Sequence, residues 1–338
     1  MKGVKMKNLL IIIFVTIMVL VNGCGTVIQY SLIRVPQEGG IKFTKITDEE
    51  DGVRWPVTIN MYDKIEWVPR EFFDISKDGL KIAFMGWKNN KGNLFVKDLR
   101  GGKATLQRTF RDNVIDVSFS PDGKWLAFAE YREWSWNIYM IGAEAGSAIR
   151  QITTGNLPEL YPVFSPDGKY LLFVQTERSI YNIEEEKYQK KYLWTYDLEK
   201  GILTQYAEGS APSFTPDGKS VIVQRVNNET GFIELWLVNL ENGQEFLIIS
   251  SKERSFTNPC VSPDGKKIAC VSCTGAEHTP ANLDIYLVNI DGTDLTQITF
   301  HPGHDVCPRW SPDGHSIYFL SQRGSEKGEW NIWKMDLK

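Results

Sequence analysis

A four-residue turn is written six times along this chain: SKDG at Ser76–Gly79, SPDG at Ser120–Gly123 and Ser165–Gly168, TPDG at Thr215–Gly218, and SPDG again at Ser262–Gly265 and Ser311–Gly314. The copies begin 44, 45, 50, 47 and 49 residues apart. A period in the forties marks a repeat architecture, in which each copy is one supersecondary unit that buries its faces only against its neighbours. The repeat alone accounts for a chain of 338 residues, with no need for several unrelated domains.

Each turn stands between two short apolar runs, VIDVSF and KWLAFA in the second copy, YPVF and KYLLFV in the third, CPRW and HSIYFL in the sixth. Pro fixes φ for the turn, Asp bonds nearby backbone N–H groups, and Gly tolerates positive φ before the next strand starts. A third run with an aromatic follows, as in NIYMI (Asn137–Ile141) and DIYLVN (Asp284–Asn289), and then a fourth such as IRQIT (Ile149–Thr153) or LTQIT (Leu295–Thr299). Four antiparallel strands per unit, repeated radially, give an all-β six-bladed β-propeller, which keeps its sheet edges short and protected. The sixth unit stops after its third strand. The missing strand is predicted to be Phe43–Thr47, whose FTKIT matches LTQIT, so that the N-terminal strand completes the last blade and closes the ring. The stretch from Val53 to Glu66 fits less well and leaves a degenerate extra blade open. Leu126, Phe128, Leu171, Phe173, Ile268, Ile317 and Phe319 recur two apart on second strands, which assigns them to the packing between blades.

The full unit, [FW]-S-P-D-G-K-x-[IL]-[AVL]-[FV], resembles the TolB-like propeller repeat from about Phe43 to Lys338. The resemblance implies the fold directly. In that family the same unit also builds the propellers of dipeptidyl and prolyl peptidases, but those carry an α/β-hydrolase domain with G-x-S-x-G, a motif this sequence lacks. TolB itself has an α/β domain ahead of its propeller. Here a short stretch separates Cys24 from Phe43, which weakens the implied role of docking to the peptidoglycan-associated lipoprotein.

Lys2, Lys5 and Lys7 precede an apolar run from Leu9 to Val21, the pattern of an export signal, with an uncleaved membrane anchor as the alternative. VNGC at Val21–Cys24 resembles the lipobox of bacterial lipoproteins, apart from Asn22, and implies acylation of Cys24. The expected organisation is a signal peptide over 1–23, a tether over 24–41 and the propeller over 42–338. The expected location is the cell envelope, lipid-anchored at the periplasmic face of the outer membrane. Net charge is −4, and nothing in the sequence clusters Lys and Arg, so a nucleic-acid partner is excluded. Cys260, Cys270, Cys273 and Cys307 are read as buried thiols or one disulfide. CVSC lies in a strand, where alternation sends Cys270 and Cys273 to opposite faces, against a metal site.

The four histidines are His278, His301, His304 and His315. HPGHDVC (His301–Cys307) has ligand residue types but the frame of a loop between blades, with Asp305 expected to cap backbone groups. NIDGTD (Asn289–Asp294) lacks the spaced oxygen ligands of a calcium loop and is read as a hairpin turn. NET (Asn228–Thr230) fits a glycosylation sequon, a reading that the lipoprotein signal argues against. No catalytic fingerprint is present, and neither an enzyme nor a cofactor is expected. The loops between second and third strands share the face opposite the SPDG turns. They gather Trp87, then Tyr131, Arg132, Trp134 and Trp136, then Thr176–Tyr192, then Trp330. Such residues are enriched where partners bind, and an envelope protein or peptide is the expected partner of this face. Two readings compete with that one. The tryptophans pack over loop bases, or the propeller binds or cleaves carbohydrate, with Asp74, Asp116, Asp305 and Arg309 beside the central channel and a metal held there.

Overall fold

The computed structural model describes residues 41–48, 51–53, 58–59, 65–66, 72–88, 91–101, 104–110, 113–176, 190–274, 282–324 and 329–337. β1 (Phe43–Lys45) comes first, followed by a hairpin of β2 (Thr58–Ile59) and β3 (Ile65–Glu66). Blade 1 comprises β4 (Phe73–Ile75), β5 (Lys81–Lys88), β6 (Lys91–Asp98) and β7 (Leu106–Gln107). Blade 2 comprises β8 (Val114–Phe119), β9 (Trp125–Arg132), β10 (Ser135–Gly142) and β11 (Arg150–Gln151). Blade 3 comprises β12 (Glu159–Phe164), β13 (Tyr170–Thr176), β14 (Lys191–Asp197) and β15 (Leu203–Glu208). Blade 4 comprises β16 (Ser210–Phe214), β17 (Ser220–Val226), β18 (Ile233–Asn239) and β19 (Glu245–Ile249). Blade 5 comprises β20 (Arg254–Val261), β21 (Lys267–Thr274), β22 (Asp284–Asn289) and β23 (Thr296–Gln297). Blade 6 takes β24 (Asp305–Trp310), β25 (Ser316–Ser321) and β26 (Asn331–Asp336) from the end of the chain and β1 from its beginning. The described residues form six four-stranded antiparallel sheets and no α-helix, and those described between 53 and 66 include the paired β2 and β3.

The turn is built as its residues dictate. In blade 2 the Ser120 hydroxyl donates to Asp122 Oδ1 at 2.6 Å, the Lys124 N–H donates to the same oxygen at 3.0 Å, and the Trp125 N–H donates to Ser120 Oγ at 2.9 Å. The other five turns repeat these bonds, with Thr215 standing in for Ser in blade 4. Gly123 and its counterparts have φ between 69° and 72°, where a side chain would be strained. Five of the six turn glycines also lie against the proline of a neighbouring turn. A methyl placed on Gly168 would meet Pro121 Cδ at 3.7 Å, and Gly218–Pro166, Gly265–Pro216 and Gly314–Pro263 repeat the contact. A methyl placed on Gly79 would meet Pro312 Cδ at 3.8 Å, so the sequence of close approaches passes from blade 6 into blade 1. The one junction lacking it is Gly123, because Lys77 replaces Pro in the blade 1 turn.

Closure of the last blade follows the prediction. Phe43, Thr44 and Lys45 pair with Met335, Lys334 and Trp333. Beyond the strand, Thr47 Oγ1 accepts the Ile332 N–H at 2.8 Å, as Thr109, Thr153 and Thr299 accept those of Leu94, Ile138 and Ile285, each at 2.9 Å. Thr47 therefore occupies the outer-strand position of a standard blade. The Arg323 guanidinium lies 3.9 Å over the Phe43 ring and 4.8 Å from that of Phe319, adding cation–π contact to the seam. The seven residues assigned to interblade packing are all buried, each stabilising by about 1.5–3 kcal/mol before chain entropy is subtracted.

Inner strands carry a feature the sequence reading missed. Asp116, Tyr161, Ala211, Asn258 and Cys307, each four residues before the turn Ser or Thr, have φ between 46° and 56°. Each sits in a register shift of its inner-strand pair, a β-bulge in blades 2 to 6. Left-handed backbone at non-Gly residues costs roughly 1–2 kcal/mol apiece. Bonds between blades offset it: Asp116 Oδ2 accepts the Tyr161 N–H at 3.1 Å and Gln224 Oε1 that of Asn258 at 3.1 Å. Asp74 Oδ2 and Ser213 Oγ likewise accept the N–H groups of Phe119 and Val261, at 2.7 and 3.0 Å.

Candidate functional site

The ends of the second and third strands of blades 6, 1 and 2 bring the predicted aromatics to one face. In blade 2, Arg132 pairs with Ser135, leaving Glu133 and Trp134 as a two-residue hairpin loop. Both have positive φ, 52° and 70°, the requirement of a type I′ turn that Asn-Gly usually meets. Neither residue is suited to that conformation, yet Trp134 is held there with 76% of its surface exposed. Such strain, kept with a large apolar side chain facing water, is a recurrent property of binding positions. Tyr131 packs beside Trp136 with ring centroids 5.4 Å apart, and Arg132 is exposed next to the tip.

Trp136 and Trp330 differ from Trp134, each being only 9% exposed. Trp136 shares one strand face with Ile138 and Met140 in the core between blades 2 and 3. The alternation Trp136–Ile138–Met140 was present in the sequence and marks the indole as core. Trp330 stacks on His304, centroids 6.2 Å apart and planes within 6°. Trp87 is half-buried, and its backbone N–H donates to the Gly52 carbonyl at 2.8 Å. The six predicted residues thus divide into an exposed tip, Arg132 and Trp134, and a buried or half-buried footing formed by the other four. Residues 177–189 of the long third-blade loop, and Cys24, lie outside the described residues.

The channel candidates are committed elsewhere. Asp74 and Asp116 serve as the interblade acceptors described above. Asp305 does not cap backbone groups. It is fully buried and pairs with Arg323 at 2.6 Å. Burial pushes its carboxyl up from the ordinary value, and the Arg323 charge opposes that shift. Arg309 is buried and donates to the Pro308 carbonyl at 2.9 Å. His301 Nδ1 accepts the Gly303 N–H at 3.0 Å, and burial lowers the His304 pKa. No group of three or more His, Cys, Asp and Glu side chains converges among the described residues in a way that could hold a metal. Cys270 is core, its thiol pushed up to about 12 by burial. NIDGTD is a turn, closed by Gly292 N–H to the Asn289 carbonyl at 2.9 Å.

On the turn face a groove of about 780 Å³ opens between blades 5 and 6, lined by Ile41, Leu287, Ile298, Trp310 and Leu337 with Lys267 and His315. No local motif announces it, since its walls come from both ends of the chain.

Comparison with known proteins is consistent with this architecture. Over 242 residues, 70% of this chain, the sequence is 28% identical to the Tol-Pal system protein TolB of Francisella tularensis subsp. holarctica (strain OSU18). That match takes in 53% of the relative, so the chain spans about half the length of the curated relatives it matches. Among solved structures, the putative TolB from Agrobacterium tumefaciens superimposes with a TM-score of 0.58 at 20% identity, covering 81% of this chain and 94% of that one. The oligogalacturonate lyase from Vibrio parahaemolyticus gives 0.58 at 12% identity, covering 88% and 97%. At such identities both show the fold alone. Residues 25–193 and 211–338 match the model of the TolB β-propeller domain, and the chain belongs to that family.

Proposed function

We propose that this protein is a non-enzymatic scaffold of the cell envelope, exported through residues 1–23 and anchored by an acylated Cys24. A tether over 24–41 would present the propeller, 42–338, which holds a protein or peptide on the face opposite the SPDG turns. Trp134 carries the reading, as an exposed indole at a strained hairpin tip braced by Tyr131 and Trp136. The resemblance to Tol-Pal system proteins supports an envelope protein as the partner class. In this reading Trp134 and Arg132 make the contact, while Trp87, Tyr131, Trp136 and Trp330 hold the face in shape. Crosslinking in cells followed by purification of wild type and Trp134→Ala tests it. The variant should lose the captured partner at an unchanged melting temperature, and a partner retained in full would refute the assigned face. An exposed indole also stacks on sugars. A glycan array bound by wild type and not by Trp134→Ala would favour a carbohydrate ligand instead.

A further inference from the structure

The six outer strands are unequal. β7, β11 and β23 have two residues each and β1 has three, whereas β15 has six and β19 five. Very short edge strands are the ordinary means by which sheets avoid pairing with other chains, and blades 3 and 4 lack that protection. β19 is open over Glu245–Leu247 only, because the Gly292 turn of blade 5 closes onto the Ile248 carbonyl. Among the described residues β15 has no such cover: every residue from Gly201 to Tyr206 is exposed, and Ile202, Leu203 and Tyr206 are large apolar side chains in water. No residue between Gly201 and Ala207 is charged, and none is Pro.

The ladder fixes which backbone groups face outward. The Asp197 N–H bonds the Ile202 carbonyl at 2.9 Å, and Thr195–Thr204 repeats that closed pair two residues on. In an antiparallel ladder the intervening residues turn their N–H and C=O away from the partner strand. Leu203 and Gln205 therefore offer up to four backbone bonds at the rim, before the register shift beyond Gln205 bends the strand.

We infer that the β15 edge of blade 3 binds an extended, uncharged segment of a partner polypeptide, which adds as an antiparallel fifth strand along Ile202–Gln205. The absence of charge on the edge selects an uncharged occupant, since a Lys or Glu brought to this apolar strip would be desolvated without a counter-charge. Size argues against a second copy of this chain. Four residues span about 13 Å, and such an edge buries far less than the ~1,000 Å² that a stable dimer needs. Strand addition works at this scale because backbone bonds supply affinity and alternate side chains supply selection. This surface is separate from the Trp134 face and does not depend on it.

The probe is a blocked peptide of four Thr-Val repeats, added to the full chain, with a control peptide N-methylated at alternate residues. The unmodified peptide should slow amide exchange at Leu203 and Gln205, and the control should not. Gln205→Pro removes one outward N–H while sparing the bonds to β14, and Leu203→Lys places a charge on the edge. Each should weaken binding by about tenfold or more, and Trp134→Ala should leave it unchanged. Should Gln205→Pro fail to fold, Leu203→Lys alone decides. No binding, equal binding of the methylated control, or protection at the Trp134 hairpin would overturn the inference. So would self-association of the peptide-free protein that Leu203→Lys abolishes, which would make a second copy the occupant.

Discussion

At the scale of single residues, six aspartates share one environment and hence one response to pH. In Asp78, Asp122, Asp167, Asp217, Asp264 and Asp313 the hydroxyl of the turn Ser or Thr, more than any other group, holds the carboxyl below its ordinary value. A carboxyl whose pKa is lower folded than unfolded contributes stability above its unfolded value, lost as pH falls through the folded one. Melting temperature should therefore decline steeply below about pH 4, and Ser120→Ala should flatten part of that decline; a slope unchanged by the substitution would show that the hydroxyl is not the cause. Glu159 behaves oppositely. It is buried, and burial raises its pKa despite hydrogen bonds from Thr153 and Gln175. Its contribution is fully present below the unfolded value of 4.5 and is lost as pH rises through the higher folded one. Glu159→Gln should gain stability relative to wild type between pH 5 and pH 8, read from paired thermal melts, and a constant difference would discount the burial. The turn aspartates were legible in the sequence because Ser-Pro-Asp-Gly is local chemistry. The burial of Trp136 and Trp330 was read less well, because residue type alone does not separate an indole that binds from one that packs.

Among elements, the repeat makes each blade a control for the others. Five turns place Pro against the next Gly, and Lys77 is the exception, although the blade 1 turn keeps the same Ser76–Asp78 bonding. Lys77→Pro should therefore fit without strain, reduce the freedom of the unfolded chain and add about 0.4–1 kcal/mol, measurable as a higher urea midpoint at constant m-value. A lower midpoint would mean that the Lys77 backbone departs from its five counterparts. Strands and turns were readable from period-two apolar runs bounded by Gly. The bulges were not read, though a signal existed: Pro162, Pro212, Pro259 and Pro308 each follow the left-handed residue of an inner strand. Proline offers no N–H to a ladder, so within a sheet it belongs to edges or bulges. Each of these inner strands is the edge of its sheet, where Pro is tolerated, and its recurrence directly after the left-handed residue marks the bulge.

For the whole molecule the decisive question is what shuts the ring, because a propeller gains its packing only when the last blade meets the first. The match of FTKIT to LTQIT foretold the answer, since a sequence repeat survives being split between the two ends of a chain. The groove between blades 5 and 6 was not legible, because its walls come from Ile41, blade 5 and the C-terminal strand together. Deleting Gly39–Glu49 would remove three paired residues, the Thr47 acceptor of the Ile332 N–H, and the Phe43 ring under Arg323. Arg323 would keep Asp305 but lose half its aromatic cover, leaving a buried ion pair nearer to water. One orphaned N–H costs about 1–3 kcal/mol and exposure of one aromatic about 1.5–3 kcal/mol. Together a loss of about 2.5–6 kcal/mol at about 2–4 °C each places the fall in melting temperature on the order of 10 °C. Thr47→Ala alone should account for a minor part of it. If the deletion melts like wild type, the Pro312–Gly79 contact and interblade packing suffice to close the ring, and β1 is only an accessory strand on a sheet of three.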